Sequence, residues 1–209
     1  VNYIALLGWS PKGENEIFTL PELVQEFDVS GISKSPAIFD VQKLRAINGE
    51  YIRRLSPADF LAHAKPYIRQ TCKREDVDLS ALCAMLQPRT EVFTDIPEQV
   101  DFIDTLPAYD NALYVHKKMK TNQENSLASL KACLPALEAV TEWTLENVHA
   151  ALFDVIAQLG VKNGVVLWPV RVALSGKQFT PGGGVDLAAL LGKEETLARI
   201  RKGIAQLSA

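Results

Sequence analysis

Cysteine and histidine are scarce, with three of each among 209 residues. Cys72, Cys83 and Cys133 are odd in number and far apart, which argues against a disulfide framework and for a reducing compartment. His63, His116 and His149 are equally scattered. No CxxC or HxxxH pair exists, so the spacing a structural zinc site needs is missing. No apolar run approaches the roughly 20 residues of a membrane span. The Ile4–Leu7 and Val165–Trp168 runs are four residues each. Neither phosphate-cradling glycine pattern, GxxxxGK followed by Ser or Thr or GxGxxG, is present. No alternating strand pattern persists, and there is no fixed-period repeat or low-complexity tract.

What is present is ordinary for a globular chain: 47% hydrophobic and 22% charged residues, enough apolar mass for a core. The first residue is Val1, inside an apolar, helix-like run to Trp9, which leads us to expect a piece of a longer protein. No signal peptide can be read.

Charge is distributed in blocks. Residues 1–42 carry net −4, 43–74 net +6, 75–116 net −8 and 117–209 net +3. A basic block between acidic neighbours is a candidate polyanion contact, or else a solvated helical surface. Arg89 is the single basic residue in its acidic block. An isolated Arg is either a local ion pair, with Glu91 or Asp95 nearby, or a reader of a base edge or carboxylate.

Start and stop signals predict a mostly helical chain. Thr19-Leu20-Pro21, Asp40-Val41 and Ser56-Pro57-Ala58-Asp59 each read as a cap followed by a first turn. The Asp40 helix is expected to stop near Asn48-Gly49, and Pro66 to kink or shorten the Ser56 helix. Further helices are expected over 79–87, 95–104, 110–120, 123–135, 144–159 and 194–207. Two loops, Ser33–Pro36 and Thr180–Gly184, lead into helix N-termini, where free N–H groups favour phosphates unless the loop is a plain turn. The fold class is all-α.

Three strings in order carry a resemblance: Ala5-Leu6-Leu7-Gly8-Trp9-Ser10; Ser33 to Asp40 with Lys43-Leu44 and Asn48 to Arg53; and Arg171 to Gly176 with Thr180-Pro181 and Leu190 to Glu194. They span nearly the whole chain and resemble the C-terminal half of bacterial glutamyl-tRNA synthetases. The family's HIGH-like and KMSKS-like catalytic signatures lie upstream of the first string and are not in this chain. Ser33-Lys34-Ser35 lies downstream of it and is no match for the second signature.

The resemblance implies a stem-contact region (1–55) and a two-part helical anticodon-binding cage (56–110 and 111–209). It implies that Arg89, in Gln87-Pro88-Arg89, reads the third anticodon base. It places Arg171, Thr180 and Pro181 at the anticodon, and Lys43, Arg45 and Arg53 toward the tRNA stem. Where the family has an apolar and an aromatic residue, this chain has Gly183 and Gly184. The expected partner is glutamate tRNA, with no DNA or membrane partner. The chain is expected to be a cytoplasmic monomer without catalytic residues, metal or cofactor of its own, ATP and Mg belonging to the parent enzyme. The alternatives are a helical DNA-binding or regulatory module with its recognition helix in 43–74, and a helical protein-interaction scaffold.

Overall fold

The computed structural model describes residues 1–208, and among them there are α-helices and short 3₁₀ turns but no strand. Two isolated bridges, Trp9 with Ile32 and His116 with Thr121, are the extent of β pairing among these residues. The all-α expectation therefore holds.

The N-terminal part has a small core of its own. Helices α1 (Asn2–Gly8) and α2 (Leu20–Glu26) pack around Trp9, Phe18 and Leu23. Thr19 and Glu22 close a capping box at the start of α2, with Pro21 in its first turn, as the sequence predicts. Helix α3 (Val41–Arg53) starts at Asp40, whose carboxylate accepts from the N–H groups of Gln42 and Lys43. It runs on through Asn48-Gly49 rather than stopping there. A Cβ on Gly49 would lie 3.5 Å from the Glu91 Cα, and the Asn48 amide donates to the Glu91 carbonyl at 2.6 Å. The glycine serves close packing on the segment around Glu91, which overrides its weak helix propensity.

The rest of the chain shares one continuous buried cluster from Ile52 to Ile200. Helix α4 (Pro57–Thr71) buries Phe60, Ala64 and Ile68, and Pro66 does not end it. Pro66 and Ala62 are both exposed, so the carbonyl that the proline leaves without a donor faces solvent. Helix α5 (Leu79–Leu86) continues as a 3₁₀ turn, Gln87–Arg89. Helix α6 is only Ile96–Val100, shorter than the expected 95–104. The carbonyls of Phe102 and Ile103 instead accept from the buried Arg199 guanidinium. No helix forms over 110–120. A 3₁₀ turn covers Asn111–Tyr114, and a tight turn with Lys120 at φ 60° returns the chain at Thr121.

Helices α7 (Gln123–Glu138), α8 (Leu145–Leu159, closed by Gly160 at φ 64°), α9 (Asn163–Ser175), α10 (Gly184–Leu191) and α11 (Lys193–Ser208) complete the bundle. The sequence reading has no counterpart for α9. Val166, Trp168, Val170, Val172 and Leu174 are all buried, so no polar face marks its period, and Pro169 sits inside it. Helix α9 packs against α7, α8, α10 and α11 at the centre of the second half.

All three thiols are buried. Burial pushes Cys72 and Cys83 up to about 11 and Cys133 up to about 12, with Asp104 beside Cys72 acting in the same direction. Native protein at pH 8 is therefore expected to react slowly with an aromatic disulfide reagent, and to release three equivalents promptly in guanidinium. Fast reaction of any thiol in the native state would contradict this placement.

Candidate nucleic-acid interface

The fold brings Arg89 and Arg171 to one cleft of about 420 Å³, lined also by Gln99, Phe179, Thr180, Gly182 and Gly183. Arg89 ends the 3₁₀ turn after α5, and its guanidinium donates to the Met85 carbonyl at 3.2 Å. Glu91 and Asp95, the acids nearest in sequence, both pair with Arg45 instead. The local ion pair weighed for Arg89 is thus occupied by another cation. Among the described residues, neither Arg89 nor Arg171 has a carboxylate within 4.0 Å.

Arg171 projects from α9 with its guanidinium carbon 4.5 Å from the centroid of the Trp168 ring, a cation–π contact. It donates to the Gln178 carbonyl, and its Nε is buried without a hydrogen-bond partner. Burial, and then the like charge of Arg89, lower its pKa from the usual arginine value. Two uncompensated guanidiniums facing one cleft favour an anion or a ligand edge rich in acceptors.

The loop that completes the cleft is tied down. Gly176 at φ 63° turns the chain out of α9. Lys177 reaches across to the Glu98 carbonyl and the Asp101 carboxylate, both at 2.6 Å. The Thr180 hydroxyl donates to the Gly182 carbonyl at 2.7 Å, and Pro181 is buried within the loop. The backbone N–H of Gly183 donates to Asp186 at 2.7 Å. Both loops flagged ahead of helix N-termini are therefore filled by carboxylates, Asp40 at α3 and Asp186 at α10, and neither presents an open anion site.

Gly184 has a packing role. A Cβ there would lie 2.9 Å from the Leu167 carbonyl oxygen and 3.2 Å from the Arg171 backbone nitrogen. Helix α10 therefore lies directly on the α9 backbone. A second cleft of about 460 Å³ opens on the other side of Arg171 and Gly183, walled by His149, Phe153 and Trp168. His149 stacks on Phe153 with ring centroids 3.9 Å apart.

The three stem candidates lie elsewhere, on α3, and each is paired. Lys43 binds Glu16 at 2.7 Å, Arg45 binds Glu91 and Asp95, and Arg53 binds Glu50 at 2.5 Å. Much of the basic block's charge is offset locally. Sequence reasoning missed Gln99 and Phe179. The one available signal for Phe179 is an aromatic residue inside an otherwise polar loop. No grouping of His, Cys, Asp and Glu suited to a metal occurs among the described residues, and no helix is long and apolar enough to cross a membrane.

The family model described as "Anticodon binding domain" matches residues 59–204. The glutamate–tRNA ligase of Clostridium acetobutylicum is 52% identical over 207 residues, covering 99% of this chain and 43% of that protein. That of Clostridium tetani is 53% identical over 207 residues, covering 99% and 42%. A crystal structure of a glutamate tRNA ligase from Elizabethkingia meningosepticum, in complex with its amino acid, superposes with a TM-score of 0.80 at 26% identity, covering 99% of this chain and 40% of that one. The chain thus spans about two fifths of the length of these relatives.

Proposed function

The chain belongs to the anticodon binding domain family, and from that premise we propose that it is the tRNA-binding portion of a glutamate–tRNA ligase. The observation that carries the reading is the pair Arg89 and Arg171, held in one cleft without carboxylate partners. Bases of an anticodon loop are unstacked, so their Watson–Crick edges are open to such donors. Arg89 reads the third anticodon base, and Arg171 and Thr180 meet the neighbouring nucleotides. Pro181 holds their loop in shape from within. Residues 1–55 contact the stem, and 56–110 with 111–209 form the two parts of the anticodon cage. Lys43, Arg45 and Arg53 reach stem phosphates by exchanging their carboxylate partners for them. Activation of glutamate with ATP and Mg belongs to the part of the enzyme that this chain does not span. The parent works in the cytoplasm, and the chain is a monomer without DNA affinity.

Filter binding with glutamate tRNA and with duplex DNA separates this reading from its competitors. The expected result is salt-dependent binding of the tRNA and much weaker binding of DNA. Preference for DNA would support the regulatory module, and no binding to either would support the scaffold.

A further inference from the structure

Phe179 is 80% exposed, the most exposed aromatic ring in the second half of the chain, and it stands at the cleft that holds both arginines. An aromatic ring in water is ordinarily folded back onto the nearest apolar surface. Here the loop is held so that the ring stays out. The carbonyl of the preceding residue, Gln178, accepts from Arg171, and Lys177 is anchored on Glu98 and Asp101. On the other side Thr180 is bonded to Gly182. Among the described residues Phe179 takes part in no aromatic pair. Arg171 makes its cation–π contact with Trp168 instead. Gln99 lines the same cleft, and among the described residues its amide has no hydrogen-bond partner.

We propose that Phe179 is a stacking platform for one unpaired base of a bound RNA loop, with the Gln99 amide placed to hydrogen-bond the edge of that base. The inference rests on the tRNA-binding reading above and adds to it a contact that is apolar and sequence-tolerant. Two adjacent guanidiniums without acids select an RNA segment over an apolar protein surface as the occupant. Every base has a π-face, so a ring held in place gains affinity without adding charge.

The test uses glutamate tRNAs carrying 2-aminopurine at single positions of the anticodon loop. With the wild-type chain, fluorescence at one loop position should be quenched on binding. Phe179→Ala should abolish that quench and weaken tRNA binding by about tenfold to a hundredfold. Phe179→Trp should keep both. The slope of affinity against salt should be the same for Phe179→Ala and wild type, because no phosphate contact is lost. The melting temperature should not change, since the ring is exposed. Binding of Phe179→Ala within twofold of wild type, or a quench that survives the substitution, would overturn the proposal and leave the tRNA reading standing. Absence of tRNA binding by the wild-type chain would overturn both.

Discussion

Arg89→Gln is expected to narrow, by about tenfold or more, the preference for cytosine over guanine at the third anticodon position of a bound glutamate tRNA. Cytosine offers the acceptors O2 and N3 to a guanidinium fork. Guanine's Watson–Crick edge offers the N1 and N2 donors, with O6 as its one acceptor. Gln can present either end of its amide and so discriminates less. The substitution should barely affect folding. Arg89 makes one intramolecular hydrogen bond, to the Met85 carbonyl from an exposed position, and such a bond contributes about 1 kcal/mol or less. Its loss is offset because the like charge pressing on Arg171 is removed with it. A change in melting temperature of no more than about 3 °C is expected. The competing role, a surface ion pair worth about 0–1 kcal/mol, would need Glu91 or Asp95, and Arg45 holds both. Filter binding of the two tRNAs at one fixed salt concentration decides the matter. An unchanged affinity ratio in the variant would remove Arg89 from the readers.

Features decided within one turn of chain were legible in the sequence. Thr19, Asp40 and Ser56 each cap the helix expected of them, because a side-chain oxygen and an N–H two or three residues later are enough to set the start. What could not be read depends on residues far away in the chain. Gly49 stays helical because Glu91 packs on it, and α6 ends early because Arg199 takes the carbonyls beyond it. Helix α9 buries Val166, Trp168, Val170, Val172, Ala173 and Leu174 around most of its circumference, so the contrast between polar and apolar faces that marks a surface helix is weak. The candidate site divides in the same way. Arg89 stood out because its own neighbourhood is acidic, whereas Arg171 was found through resemblance alone. Gln99 and Phe179 acquire meaning only once α6 and the loop after α9 meet at one cleft.

That meeting depends on Arg199, and Arg199→Met is expected to be the most destabilising single change considered. The side chain is 3% exposed and its guanidinium holds three carbonyls, those of Phe102 at 2.8 Å, Ile103 at 3.0 Å and Leu174 at 2.6 Å, while Nε donates to Glu195 at 2.5 Å. Leu174 lies at the end of α9, just before the loop that carries Phe179. Phe102 and Ile103 follow α6, which carries Gln99. One planar fork therefore joins the two walls of the cleft. Met would fill much of the volume but leave three carbonyls without donors, and breaking a buried charged network of this kind costs about 3–5 kcal/mol. For a chain of this length that corresponds to a fall in melting temperature of roughly 10 °C. Glu195→Gln is the informative companion. Its side chain is 40% exposed and solvent can replace it, so a loss of about 1 kcal/mol or less is expected. Thermal unfolding followed by circular dichroism measures both. If Arg199→Met melts within about 2 °C of wild type, the carbonyls have other donors available. The registration of Gln99 against Phe179 would then have to come from the Lys177 contacts with Glu98 and Asp101 instead.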